Sequence, residues 1–190
     1  SVKLLFRVPP AEVRTLAIDE GSRTSAVMSQ VLLAELYNVR PTISELPIGS
    51  DPNACQADAI LMIGDRAIYN DDSLYVEVWD LGDRWCRWAE LLFVIAIWVA
   101  RAEVPTNGIG NAPSAARDVG CRHIDNIATE QAERMKLPVE LVAEYLKQNL
   151  HFYLGPQELR GMSLFFQKAA QLGFIERARE LSTDDCTIEG

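Results

Sequence analysis

The sequence predicts an α/β fold whose sheet has a parallel component, and three observations carry that prediction. Short apolar segments alternate with segments of helical periodicity through the first half of the chain. One of them, residues 59–63 (AILMI), is an apolar run without alternation, the habit of an interior strand covered on both faces. The order strand, helix, strand, helical turn, strand also requires crossover connections, which parallel neighbours need. A length of 190 residues, 48% of them hydrophobic and 24% charged, suits one domain, or one large domain with a lobe, able to bury a core.

Residues 1–8 (SVKLLFRV) read as a strand, closed by Pro9-Pro10 because proline cannot donate to a ladder. Residues 14–19 (RTLAID) form a second short strand. Gly21-Ser22 punctuates, and a helix follows over 24–38, where Val27, Val31, Ala34 and Tyr37 recur at helical spacing. Ser22 and Thr24 are both competent N-caps, and Asn38 with Pro41 supplies the stop. Strands over 42–46 and 59–63 are joined by a turn-rich link, and Gly64-Asp65 closes the second. A turn at 70–73 precedes a strand over 75–80; residues 83–89 then place Trp85 and Trp88 on one helical face. Residues 91–100 are predicted to be a long buried strand, and 105–110, with Asn107-Gly108, a loop. The remainder is helical over 113–119, 124–136 and 139–150. A last strong helix opens at Pro156, with Leu159, Met162, Phe166, Ala169 and Leu172 on one face and Gly173 as its cap.

A net charge of −9 with only four lysines argues against non-specific nucleic-acid binding, which needs clustered cations to displace phosphate counterions. An acidic protein that binds a small anion must do so at a locally built site. The longest apolar run, residues 91–100, is half of what a membrane span requires. The four cysteines are widely spaced without a C-x-x-C pair, which predicts thiols and a cytoplasmic location. Cys121-x-His123 lacks two further ligands nearby, so neither a metal nor another cofactor is expected. The chain opens at Ser1 inside a strand, and a further N-terminal portion is expected upstream.

The most suggestive segment for chemistry is 19–25 (DEGSRTS), between a strand and a helix. Such a turn presents free backbone N–H groups and the hydroxyls of Ser22, Thr24 and Ser25 at the positive end of a helix dipole, where a carboxylate or phosphate is stabilised. Arg23 adds a fork able to hold a carboxylate bidentately. The plainer alternative is that Ser22 or Thr24 only caps the helix and Arg23 is solvated. Gly64 and Asp65 follow an interior strand at its C-terminal end, where open α/β sheets bind ligands. Asp65 is suited to orienting a ligand hydroxyl or, alternatively, to capping the turn that follows. Trp79, Trp85, Trp88 and Trp98 could line a pocket, although such residues are more often core. No G-x-S-x-G elbow, H-E-x-x-H pair or phosphate loop is present, and neither histidine has a patterned nucleophile partner.

Three segments together, SVKLLFRVPPAEVRTLAIDEGSRTS (1–25), ADAILMIGDRAI (57–68) with VWDLGDRWCRWAELLFVIAIWVAR (78–101), and LHFYLGPQELRGMSLFFQKAAQLGFI (150–175), resemble the chorismate dehydratase family of the futalosine route to menaquinone. The resemblance runs in order over roughly residues 1–175, through the D-x-x-S-R-T-S turn, the I-G-D-R strand end and the D-L-G-x-x-W-x-x-W segment. It implies a two-lobed, periplasmic-binding-protein-like fold. Residues 1–100 would be an α/β lobe with crossing hinge strands, 101–180 a mainly helical return to the other lobe, and 181–190 a frayed acidic tail, the N-terminal lobe being truncated.

The activity implied is a hydro-lyase without a cofactor, acting on a small dicarboxylate and forming 3-(1-carboxyvinyloxy)benzoate. Ser22, Arg23, Thr24 and Ser25 would dock one carboxylate, with Gly64 and Asp65 at the cleft edge and the catalytic residues upstream of Ser1. A related dihydroxynaphthoate-forming lyase and a non-catalytic anion-binding protein are the alternatives. Family members show a T-G-L-P-F turn where this chain has Ala89-Glu90-Leu91-Leu92-Phe93. That exchange of a glycine for Glu90 and a proline for Leu92 is expected to weaken anion binding.

Overall fold

The computed structural model describes residues 2–101, 103 and 111–178. The loop expected at 105–110 and the tail at 181–190 lie outside the described residues. Five strands form one mixed sheet: β1 (Val2–Phe6), β2 (Thr15–Asp19), β3 (Thr42–Leu46), β4 (Ala59–Ile63) and β5 (Glu77–Asp80), in the spatial order β3-β2-β4-β1-β5. β2 runs parallel to β3 and β4, whereas β1 runs antiparallel to both β4 and β5. The parallel component is therefore real but covers only part of the sheet. Helix α1 (Arg23–Tyr37) makes the crossover from β2 to β3, and α2 (Asp65–Ile68) is a single turn after β4. Helix α3 (Leu81–Ala89) follows β5, with the Asp80 side chain accepting from the Asp83 amide as its cap.

The register at the far end of the sheet is pinned by Asp58. Its Oδ2 accepts from the amides of Arg14 and Thr15 and from the Thr15 hydroxyl, which in turn accepts from the Asp58 amide. These bonds, the Arg14 amide first, hold the Asp58 carboxyl below its ordinary value.

The unbroken run of β4 is covered on both faces, as an apolar strand of that kind demands. Leu61 joins Leu4, Phe6, Leu16 and Trp79 beneath α1 and α3, while Ile60 and Met62 join Leu5, Ala17, Leu46 and Tyr75 on the opposite face. Trp79 and Trp85 are core; Trp85 stacks edge-on with Trp88, Phe93 and Phe165. Trp98 is 87% exposed.

The strand expected over 91–100 does not form. Among the described residues no strand pairs with it, and Ile95, Ile97, Trp98 and Val99 are exposed. An apolar run specifies that it needs cover, but its hydrogen-bond partners must come from another segment, and here the sheet ends at β3 and β5. Helix α3 instead closes at Glu90, whose backbone is left-handed with φ 53.

The chain divides into two compact units, one comprising 1–95 with 157–181 and the other 96–156 with 182–190. In the first, α7 (Pro156–Gln171) buries Gly161, Phe165 and Ala169, a stripe rotated from the one expected. The rotation follows from Gly161, where a Cβ would run into the Leu92 carbonyl oxygen; only a bare backbone fits that contact. Lys168 extends from the same helix to Glu35 at 2.8 Å. The second unit contains α4 (Asn111–Arg122), α5 (Ile124–Met135) and α6 (Val139–Glu144), the last running on as a π-helical stretch over Tyr145–Asn149. Its small core joins Ala128, Ala132 and Val142. No helix among the described residues is long and apolar enough to cross a membrane.

Candidate functional site

The parallel strands β2, β3 and β4 all end at one edge of the sheet, and α1 and α2 begin there. The antiparallel pairing of β1 with β5 sets Lys3 opposite Asp80, so β5 ends and α3 begins at the same edge. All six candidate residues lie on this rim. Five lie at the starts of α1 and α2, and Ser25 lies just inside the first turn of α1.

Ser22 is the N-cap of α1, its Oγ accepting from the Ser25 amide at 3.3 Å. Capping and anion binding are compatible here, because the cap uses only one of the orphan amides of the first turn. The amides of Arg23 and Thr24 keep no acceptor among the described residues. Arg23 and Thr24 are exposed, and the Arg23 guanidinium has no hydrogen-bond or ion-pair partner among those residues. Ser25 is nearly closed off at 6% exposure, so its hydroxyl is the least available of the three.

Gly64 adopts φ 65 and ψ −147, a region open essentially to glycine alone, and nothing crowds the place of its missing Cβ. The glycine is there for the backbone bend from β4 into α2. Asp65 is exposed and makes no capping bond, which leaves its carboxylate uncommitted among the described residues.

Sequence reasoning placed the two segments separately and missed what joins them. Asp19, the last residue of β2, is 3% exposed. Its Oδ1 accepts from the Gly21 amide at 3.0 Å and its Oδ2 from Arg66 at 3.2 Å. The second guanidinium nitrogen of Arg66 donates to the Ser50 carbonyl at 3.0 Å. Glu20, the other acid of the turn, accepts from the Ile48 amide. Both carboxylates that precede Arg23 are thus engaged by the protein. The only local signal for the pair was the occurrence of an acid and an arginine at two strand ends.

The electrostatic result is a rim whose amides and Arg23 guanidinium have no partner among the described residues, with hydroxyls beside them, on a chain of net charge −9. Such an arrangement can take a carboxylate or another small anion. Among the described residues no group of three or more His, Cys, Asp or Glu is placed to hold a metal ion. Cys55, Cys86 and Cys121 are unpaired thiols, and burial pushes the Cys86 thiol upward.

Against known families, residues 1–171 match the model of a family described as menaquinone biosynthesis.

Proposed function

The chain belongs to the menaquinone-biosynthesis family, and on that premise we propose that it serves as the chorismate dehydratase of the pathway, a cytoplasmic hydro-lyase with a two-lobed, periplasmic-binding-protein-like fold. In the reaction the ring C–O bond of chorismate breaks and the hydroxyl leaves as water with one ring proton. The product, 3-(1-carboxyvinyloxy)benzoate, is aromatic, and aromatisation supplies the driving force. The protein's task is then to hold two carboxylates, to assist departure of the hydroxyl and to accept a proton. The division of the chain into two units, with α7 returning to the first, supports the two-lobed reading.

The observation that carries the site assignment is that, among the described residues, the Arg23 guanidinium and the amides of Arg23 and Thr24 have no partner. These groups dock one carboxylate of the substrate. The exposed Asp65 carboxylate orients the ring hydroxyl, and Gly64 gives the bend that puts it at the rim.

Titrating chorismate into the purified protein and into Arg23→Ala tests the dock. A charge-assisted hydrogen bond is worth about 1.5–3 kcal/mol, so the affinity of Arg23→Ala should fall roughly ten- to hundredfold with an unchanged melt. Arg23→Lys should recover only part, since an ammonium cannot grip a carboxylate in two places. Equal affinities would move the dock elsewhere. Because the catalytic residues are expected upstream of Ser1, incubation of the full-length protein with chorismate and detection of the aromatic product tests the reaction. Binding without product would favour an anion-binding protein, and turnover of a different menaquinone precursor would favour the dihydroxynaphthoate-forming lyase.

A further inference from the structure

We propose that Asp19 and Arg66 are a positioning pair for the carboxylate dock, in which Arg66 cancels the charge of Asp19 and braces the strand ends without gripping the ligand itself. The proposal rests on the reading of Arg23 and the 22–25 turn as that dock.

The geometry gives Arg66 two simultaneous duties. Through one nitrogen it meets Asp19 at the end of β2, and through the other it meets the Ser50 carbonyl in the segment after β3. It is itself held in α2, directly after β4. One guanidinium therefore ties together the chain leaving three adjacent parallel strands. Both of its terminal nitrogens are engaged by the protein, and its side chain is only 25% exposed.

Asp19 explains why a charge is needed there. A carboxylate this buried is costly to leave without a partner. Left ionised and unpaired four residues before Arg23, it would repel the incoming carboxylate. Its other oxygen holds the Gly21 amide, and a Cβ on Gly21 would lie 3.2 Å from that oxygen, so the turn is folded closely over the carboxylate. Asp19 thus shapes the turn, and Arg66 removes the electrostatic penalty of having it there.

The test is isothermal titration of isophthalate, a non-reacting dicarboxylate, into the wild type and into Arg66→Met, Asp19→Asn, the double variant and Arg23→Ala, each with a thermal melt. Arg66→Met should weaken binding about tenfold by exposing the ligand to the bare Asp19 charge. Asp19→Asn, which keeps an acceptor for the Gly21 amide, should change affinity by less than about threefold. The double variant should bind more tightly than Arg66→Met, because the repelling charge is gone. A double variant as weak as Arg66→Met would mean that Arg66 touches the ligand directly, and an unaffected Arg66→Met would mean that it does neither; both overturn the proposal. Should Arg66→Met fail to fold, Arg66→Gln drops the charge while keeping a donor for Ser50 and serves in the same comparison. Failure of the underlying dock shows separately: Arg23→Ala would bind isophthalate as well as wild type, or wild type would not bind it, and the proposal would fall with the dock.

Discussion

Glu90 closes α3 with a left-handed backbone, a place that glycine fills without steric cost. The conformation turns the chain away from the sheet, and a side chain there costs stability without adding a contact that the turn requires. Glu90→Gly should therefore raise stability by about 0.5–1 kcal/mol in a urea titration. A decrease would show that the carboxylate earns its place through a local hydrogen bond. Asp58 offers a test with a defined pH window. Because its carboxyl is held below 3.8 in the folded protein, folding favours the ionised form. That contribution is complete above the unfolded value and fades as pH falls through the folded one. Asp58→Asn should cost about 1 kcal/mol at pH 7, with the difference from wild type closing below about pH 4. Equal urea midpoints at pH 7 would mean that the clamp on Thr15 is dispensable.

At the scale of elements, the helix starting after Ser22, the covered run of β4 and the left-handed stop at Gly173 were legible because each depends on neighbours close in sequence. What was not legible depends on distant partners. Nothing local shows that β1 lies antiparallel between β4 and β5, or that residues 91–100 lack a strand neighbour among the described residues. The candidate site shows the same division. Periodicity and turn chemistry pointed to Ser22–Arg23 and to Gly64–Asp65, whereas the Asp19–Arg66 bond that joins them spans two strand ends. Helix α7 shows how one contact overrides a pattern: its apolar stripe predicted one face, and Gly161 against the Leu92 carbonyl selected another. Gly161→Ala adds a methyl where the backbone already touches. It should lower stability by about 1–3 kcal/mol despite alanine's better helix propensity. A melt unchanged or raised would show that α7 can slide without loss.

For the whole molecule, the two units differ in how much apolar material each encloses. The first buries the rings of Phe6, Tyr75, Trp79, Trp85 and Phe165, and the second relies on Ala128, Ala132 and Val142. Local opening follows such differences in buried contact. Hydrogen exchange should release the amides of α5 and α6 well before those of β1 and β4, and simultaneous release would show that the units open as one. The placement of β1 has a consequence for synthesis. Val2–Phe6 pairs with residues that include Ile63 on one side and Asp80 on the other, so its partners leave the ribosome long after it does. At about 5–20 residues per second, a nascent chain carries this apolar ribbon unpaired for several seconds. Until Asp80 has emerged, cover for that ribbon has to come from chain already made, so nascent chains stopped before Ile63 should expose Val2–Phe6 to protease and chains carried past Asp80 should protect it.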